Sequence, residues 1–151
     1  MITCPSGVAK RLVVLELNGL LCHRTLESTI ICPGVGQFLA LLFECFHVAV
    51  WTTTTRTHGQ PLVEAIFGNY VPSLVFVWYR RDTRIVNPLV DWDRVKPLEL
   101  ISHFNKTWDS TNVVIIDDDP QKLRTNPSFN SLIVDQINYH ELLKQIIEKF
   151  S

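Results

Sequence analysis

The stretch Val113-Val114-Ile115-Ile116-Asp117-Asp118-Asp119 joins four consecutive β-branched apolar residues to three consecutive carboxylates. A short run that is apolar at every position is typical of a strand covered on both faces in a parallel sheet. Adjacent carboxylates repel one another, so their cluster is costly unless a cation or hydrogen-bond donors offset it. The stretch therefore predicts a buried strand whose carboxyl end carries a cation site. A solvated acidic turn that starts a helix at Asp119-Pro120 would give the same pattern.

Short apolar runs recur along the chain and alternate with segments of helical periodicity. Strands are predicted at 13–17, 47–51, 74–79, 113–116 and 132–134. Helices are predicted at 35–46, 61–67, 97–104 and 139–150. This alternation implies crossover connections, and so predicts an α/β fold, a Rossmann-like three-layer sandwich with a mainly parallel sheet of about five strands. The mixed residues 21–31 leave room for a small β-flap and no large cap domain.

The composition limits the classes of protein to which the chain can belong. It has 151 residues, with 14 Lys+Arg against 15 Asp+Glu, which predicts one domain over 1–151 and a net charge of −1. With 46% hydrophobic and 19% charged residues, intrinsic disorder is not expected. The balanced charge argues against direct nucleic-acid binding. No stretch approaches the ~20 apolar residues of a membrane span.

The four cysteines, Cys4, Cys22, Cys32 and Cys45, are scattered. They form no C-x-x-C pair and no histidines follow at zinc-ligand spacing, so a zinc site is not expected. Scattered cysteines in a chain with a good core predict reduced thiols and an intracellular location, although a disulfide between two of them stays open. The nucleus, the cytosol and the mitochondrion are not distinguished.

Polar residues stand where the predicted strands end, which is where ligand sites lie in a parallel sheet. Glu16 lies in the first apolar run, and it is costly to bury there unless it is paired or bound to a cation. A strand-edge Glu that faces water is the alternative. Thr52 follows the second strand, and it could hold a phosphate oxygen or simply suit a strand. Lys96, between Val95 and Pro97, would alone be interpreted as a surface lysine.

In combination these residues resemble the haloacid dehalogenase-like superfamily. The more specific resemblance is to the RNA polymerase II carboxy-terminal-domain phosphatases and to the phosphatase-like domain of the mitochondrial inner-membrane import translocase subunit. The family's first motif, D-x-D-E-T-L-V-H, corresponds to residues 16–23, which read E-L-N-G-L-L-C-H. Its later motifs correspond to Cys32-Pro33-Gly34, Val50-Trp51-Thr52, Arg81-Asp82, Val95-Lys96-Pro97-Leu98 and 115–120. The resemblance runs from about Lys10 to the C-terminus.

The resemblance implies a role for each matching position. In active members the first Asp attacks phosphorus, the second exchanges a proton, a Lys stabilises charge and Mg²⁺ offsets the phosphate. The catalytic positions are then Glu16, Asn18, Thr52 and Lys96. The phosphate-binding positions are Thr52, Thr53 and Lys96. The Mg²⁺ positions are Glu16, Asn18, Asp117 and Asp118.

Two of these positions depart from the motif. Glu16 carries an extra methylene, and misplacement of about an ångström can cost ~100-fold in rate. Asn18 cannot exchange a proton as a carboxylic acid does, which costs a further ~100- to 10,000-fold. We therefore predict a catalytically degenerate phosphatase-like domain that acts as a protein-binding or scaffold subunit. The alternatives are an active Mg²⁺-dependent phosphoserine/phosphothreonine protein phosphatase with Glu16 as nucleophile, and a subunit that uses the fold without any ligand.

The region before Lys96 bears on the partner. An uncapped site suits a protein segment or a phosphopeptide better than a small metabolite that must be sealed from water. Four arginines could grip such a segment, or could form a solvated loop balanced by aspartates. They are Arg80, Arg81, Arg84 and Arg94. Trp92 lies in the same region and is either a core or an interface residue.

Overall fold

A computed structural model describes residues 3–5, 7 and 9–151, and its centre is a five-stranded sheet. The strands of the chain are β1 (Leu12–Leu15), β2 (Cys22–Arg24), β3 (Thr29–Ile31), β4 (His47–Trp51), β5 (Val77–Trp78), β6 (Arg84–Ile85), β7 (Arg94–Val95), β8 (Val113–Asp117) and β9 (Ser131–Ile133). The central sheet has the order β5-β4-β1-β8-β9, and all its pairs are parallel. The predicted α/β fold with a parallel sheet of about five strands is confirmed.

Five α-helices in the described part of the chain connect and cover these strands. They are α1 (Val35–Cys45), α2 (Arg56–Phe67), α3 (Leu98–Phe104), α4 (Pro120–Leu123) and α5 (Tyr139–Lys149). The predicted start of α2 at Pro61 is wrong, because Gly59 N–H donates to Thr55 O at 2.7 Å and closes a first turn before the proline. Within the described part of the chain, no helix has both the length and the apolar character needed to cross a bilayer.

The two faces of the sheet bury alternate side chains of the same strands. Val13, Val48 and Val114 face the layer that contains α1, α2 and α5. Leu12, Ala49 and Val113 face the other layer, which contains α3 and α4. Every residue from Val113 to Ile116 is 0% exposed, which explains why this strand is apolar at each position. The outer layers hold the sheet from both sides and leave its carboxyl edge for polar residues.

Two small antiparallel hairpins lie outside the central sheet. The pair β2–β3 follows β1 and forms the flap expected over 21–31. The pair β6–β7 lies within 80–95, where no strand was predicted. The two short strands were missed because ion pairs help to order the segment, and ion pairs leave no apolar periodicity in a sequence. The strand β5, predicted over 74–79, is confined to Val77–Trp78.

A disulfide joins Cys4 to the end of α1 at Cys45, so the prediction of reduced thiols is wrong for this pair, and the disulfide that the sequence left open is present. Cys22 and Cys32 are the buried free cysteines of the described chain. The His47 N–H donates to Arg11 O at 2.9 Å, so the chain before β1 runs beside the end of α1. This tertiary contact brings the two sulfurs together across 41 residues of sequence, a distance over which spacing predicts nothing.

We expect reduction of this disulfide to destabilise the fold. Its loop spans 41 residues, and closing a loop of this size in the unfolded chain is worth about 2–4 kcal/mol. Dithiothreitol should therefore lower the melting temperature of the wild-type protein. A Cys4→Ser variant should melt at the reduced value with or without the reductant. Equal melting of oxidised and reduced wild type would contradict the expectation.

Candidate active site

The carboxyl ends of three adjacent strands bring the predicted site residues together. Because β1 lies between β4 and β8, Glu16 after β1 neighbours both Thr52 after β4 and Asp117 at the end of β8. Lys96 reaches the same place from the segment after β7. All four are buried, with Glu16 3% exposed and Lys96 fully enclosed. The alternatives of a water-facing Glu16 and a surface Lys96 are thereby excluded.

Lys96 lies between two carboxylates. Its Nζ is 2.9 Å from Glu16 Oε2 and 2.5 Å from Asp117 Oδ2. The backbone of Lys96 is held in turn by Asn126, whose Nδ2 donates to Lys96 O at 2.8 Å while its Oδ1 accepts from Leu98 N–H at 2.8 Å. Sequence reasoning missed Asn126 as a partner of Lys96. Its role in positioning the lysine has no local sequence signal.

Charge and burial act in opposite directions on this cluster. Burial by itself would lower the pKa of Lys96, but Glu16 and Asp117 together outweigh it and the net pKa is raised. Burial raises the pKa of Asp117, and the Lys96 ammonium opposes that rise. Lys96 is therefore a protonated cation, and its single positive charge offsets part of the negative charge of the two carboxylates beside it.

Both oxygens of Glu16 already accept hydrogen bonds. Oε1 accepts from the N–H of Leu17 at 2.7 Å. Oε2 accepts from Lys96 and from the Thr53 N–H at 3.3 Å. A carboxylate that attacks phosphorus must present an oxygen to the substrate, whereas this one is turned into the protein. In this arrangement Glu16 acts as a partner of Lys96 and Thr53.

Asn18 is held in place by two neighbours. Its Nδ2 donates to Thr54 Oγ1 at 3.4 Å, and its Oδ1 accepts from Cys22 Sγ at 3.4 Å. Burial raises the pKa of Cys22 to about 11, so its sulfur stays a protonated donor at neutral pH. Sequence reasoning missed Cys22 and Thr54 as partners of Asn18. The position of Cys22 four residues further along, at the start of the flap, was the available signal.

The threonines after β4 hydrogen-bond to the local backbone and also line a cleft. Thr52 is fully buried, and its Oγ1 accepts from the Thr54 N–H at 3.1 Å. In front of it lies an open cleft of about 380 Å³, lined by Asn18, Arg24, Thr53, Thr54, Thr55, His58 and Arg80. Asn18 and Thr53 thus line the cleft, whereas Glu16, Thr52 and Lys96 lie behind its wall.

The remaining predicted metal position, Asp118, lies at the surface beside the buried cluster. Asp118 is exposed and its carboxylate covers Gly19, where an added Cβ would lie 2.2 Å from Asp118 Oδ2 and where φ is +85°. Asp119 caps α4 by accepting from Gln121 N–H at 2.9 Å. Among the residues that the structure describes, no three His, Cys, Asp or Glu side chains are placed to hold a metal ion. The predicted Mg²⁺ set, Glu16, Asn18, Asp117 and Asp118, stays a prediction.

Sequence comparison identifies a family model and a curated relative. The model described as NLI interacting factor-like phosphatase matches residues 11–148. An uncharacterized FCP1 homology domain-containing protein of Schizosaccharomyces pombe is 24% identical over 155 residues. That alignment covers 83% of this chain and 60% of the relative, so the chain spans less than two thirds of the relative's length.

Solved structures with the same fold include two of Fcp1, an essential RNA polymerase II CTD phosphatase. The first has a TM-score of 0.62 at 16% identity, covering 93% of this chain and 48% of the other. The second, a fission yeast Arg-to-Ala variant bound to beryllium fluoride, has a TM-score of 0.63 at 14% identity, covering 93% and 51%. A probable yrbi family phosphatase from Pseudomonas syringae has a TM-score of 0.53 at 13% identity, covering 95% and 88%.

Proposed function

Because this chain belongs to the NLI interacting factor-like phosphatase family, we propose that it is a catalytically degenerate member that acts as a protein-binding or scaffold subunit of a larger complex. The observation that carries the proposal is the state of the two motif-one positions. Glu16 is closed on Lys96, and Asn18 offers an amide where the family has a proton-exchanging carboxylate. The remaining family residues then contribute to the fold rather than to turnover.

The buried cluster has a structural role under this proposal. Lys96 connects the end of β1, through Glu16, with the end of β8, through Asp117. A buried cation with two hydrogen-bonded carboxylates fixes the relative position of these segments, and its removal leaves charges that the interior cannot solvate. The cleft in front of it stays open for a protein segment, which is the class of partner that an uncapped site suits.

The location of the protein is part of the proposal. We propose an intracellular location, because scattered cysteines in a chain with a good hydrophobic core are typical of intracellular proteins. The Cys4–Cys45 disulfide favours an oxidising part of the cell over the cytosol or the nucleus, where thiols are kept reduced. Redox-resolved thiol labelling of the protein in its native cell would decide between these compartments.

The deciding experiment is an assay of the pure protein on a small aryl phosphate with Mg²⁺, beside a Glu16→Gln variant. Gln keeps the length of Glu16 but cannot act as a nucleophile, which makes it the matched control. We expect no turnover above the blank for either protein, and no trapped beryllofluoride adduct. Turnover by wild type that Glu16→Gln abolishes would establish the rival function, a phosphatase with Glu16 as nucleophile.

The same samples test whether the site binds any ligand. A ligand that binds only the folded state raises the melting temperature. We expect Mg²⁺ and inorganic phosphate, alone or together, to leave the melting temperature unchanged, since Glu16 and Asp117 are already engaged with Lys96. A concentration-dependent rise would contradict this expectation and support the predicted metal set.

A further inference from the structure

The loop of the β6–β7 hairpin, residues 86–93, exposes large apolar side chains. Leu89 is 92% exposed and Trp92 is 74% exposed, and Val86 beside them is 48% exposed. Tryptophan is highly buried on average in folded proteins, and grouped exposed apolar residues mark interaction sites more often than isolated ones do. We call residues 86–93 the hairpin loop.

Ion pairs hold the base of the hairpin loop. Asp91 accepts hydrogen bonds from Arg80 Nη2 at 2.8 Å and from Arg94 Nη2 at 2.6 Å, one on each carboxylate oxygen. Arg94 is only 8% exposed, and its Nε also donates to Asp91 O at 2.8 Å. These hydrogen bonds, with Arg80 first, lower the pKa of Asp91, so the carboxylate stays charged at neutral pH.

The other side of the hairpin loop is tied to the segment around α4. Lys122 Nζ donates to Trp92 O at 3.3 Å, and Arg124 Nη2 lies 3.0 Å from Asp93 Oδ1. Within the loop, Val90 N–H donates to Asn87 O at 2.9 Å. The exposed side chains therefore stand on an ordered loop, and a partner that binds them would pay little entropy for ordering the backbone.

The charge around the hairpin loop indicates what a partner must carry. Asp91 is occupied by two arginines and Asp93 by Arg124. Asp82 accepts from Tyr79 N–H at 2.8 Å. Arg81, directly after Arg80, is exposed and makes no hydrogen bond or ion pair with any residue that the structure describes. Because Arg80 and Arg94 share the single negative charge of Asp91, the net charge of this region is positive, and a carboxylate on the partner is the complementary group.

We propose that the hairpin loop docks a segment of another protein, which packs apolar side chains on Leu89 and Trp92 and places a carboxylate on Arg81. The proposal rests on the proposed protein-binding function and names its surface and partner chemistry. A second copy of this chain is a poorer occupant. A two-fold pair would set this net positive patch against itself, and the patch lacks the surplus negative charge that would complement Arg81.

The test uses a displayed library of random twelve-residue peptides, selected on the wild-type protein and counter-selected on a Leu89→Ala/Trp92→Ala double variant. Selected sequences should combine apolar residues with Asp or Glu. The affinity of synthetic peptides of those sequences is measured by fluorescence anisotropy. They should bind the Trp92→Ala and Leu89→Ala variants at least about 10-fold more weakly than wild type, because truncating an anchor residue of an interface typically has an effect of this size. Arg81→Glu should weaken them in the same direction.

Leu26→Ala is the matched control, because Leu26 is 107% exposed on the flap, outside the hairpin loop. It should leave the peptide affinity unchanged. Equal loss in Leu26→Ala, selection of Lys- or Arg-rich peptides, or no selectable peptide would overturn the proposal. Self-association that Trp92→Ala abolishes would overturn it in favour of a second copy. Turnover of aryl phosphate would refute the degenerate function and leave these binding results as a separate outcome.

Discussion

Replacing Lys96 by Met is expected to lower the free energy of unfolding by about 3–5 kcal/mol, the usual cost of removing one partner from a buried ion pair. Met fills nearly the volume of the lysine stem, so the loss reports charge rather than a cavity. Without the ammonium, the Glu16 and Asp117 carboxylates face each other with 3% and 1% exposure. Urea unfolding of both proteins measures the difference.

Two further variants separate the effect of the lost charge from a destabilisation that any Lys→Met substitution would cause. Lys106→Met changes an exposed lysine with no partner among the described residues, and it should shift the unfolding free energy by less than about 0.5 kcal/mol. Adding Glu16→Gln and Asp117→Asn to Lys96→Met removes the unmatched charges, and most of the lost stability should return. A loss below about 1 kcal/mol in Lys96→Met would contradict the structural role of the cluster.

The contribution of Lys96 should also depend on pH. Its pKa is raised in the folded state, so the folded protein holds this proton more tightly than the unfolded chain. The stabilisation is complete below the ordinary lysine pKa of 10.5 and is lost as the pH rises through the folded value. The stability difference between wild type and Lys96→Met should therefore narrow in that alkaline range and stay constant near neutral pH.

The fold was predictable where local patterns and burial agree. The run 113–116 is apolar at each position because the sheet is covered on both faces, and the α5 segment has one buried face that its periodicity indicates. The early start of α2 and the β6–β7 hairpin were missed, because a backbone turn and the Asp91 ion pairs determine them. Neither leaves an apolar pattern in the sequence.

The site could be predicted only from several of its residues taken together. Lys96 and Glu16 are 80 residues apart, and each alone has an ordinary surface interpretation. The order of residues at the strand ends, together with the family resemblance, brought them into one site, as the structure does. The local contacts of Asp118 near Gly19 and of Thr52 Oγ1 with the Thr54 N–H were not predictable, because they depend on backbone turns.

Restoring the family's first motif should produce a phosphatase. A Glu16→Asp/Asn18→Asp variant shortens the nucleophile position by one methylene and returns a proton-exchanging carboxylic acid. If misplacement costs ~100-fold and loss of acid–base help ~100- to 10,000-fold, the double variant should exceed wild type on the order of 10,000-fold or more in kcat/KM. The assay is hydrolysis of a small aryl phosphate. It contains Mg²⁺ because the phosphatases that this chain resembles use this metal.

The two single variants and a urea-unfolding measurement are the controls for this prediction. Glu16→Asp alone should gain less, because Asn18 still supplies no proton to the leaving oxygen. Asn18→Asp alone should gain less, because Glu16 stays closed on Lys96 and Thr53. A double variant that unfolds in urea like wild type and yet shows no turnover would mean that the defect lies beyond motif one.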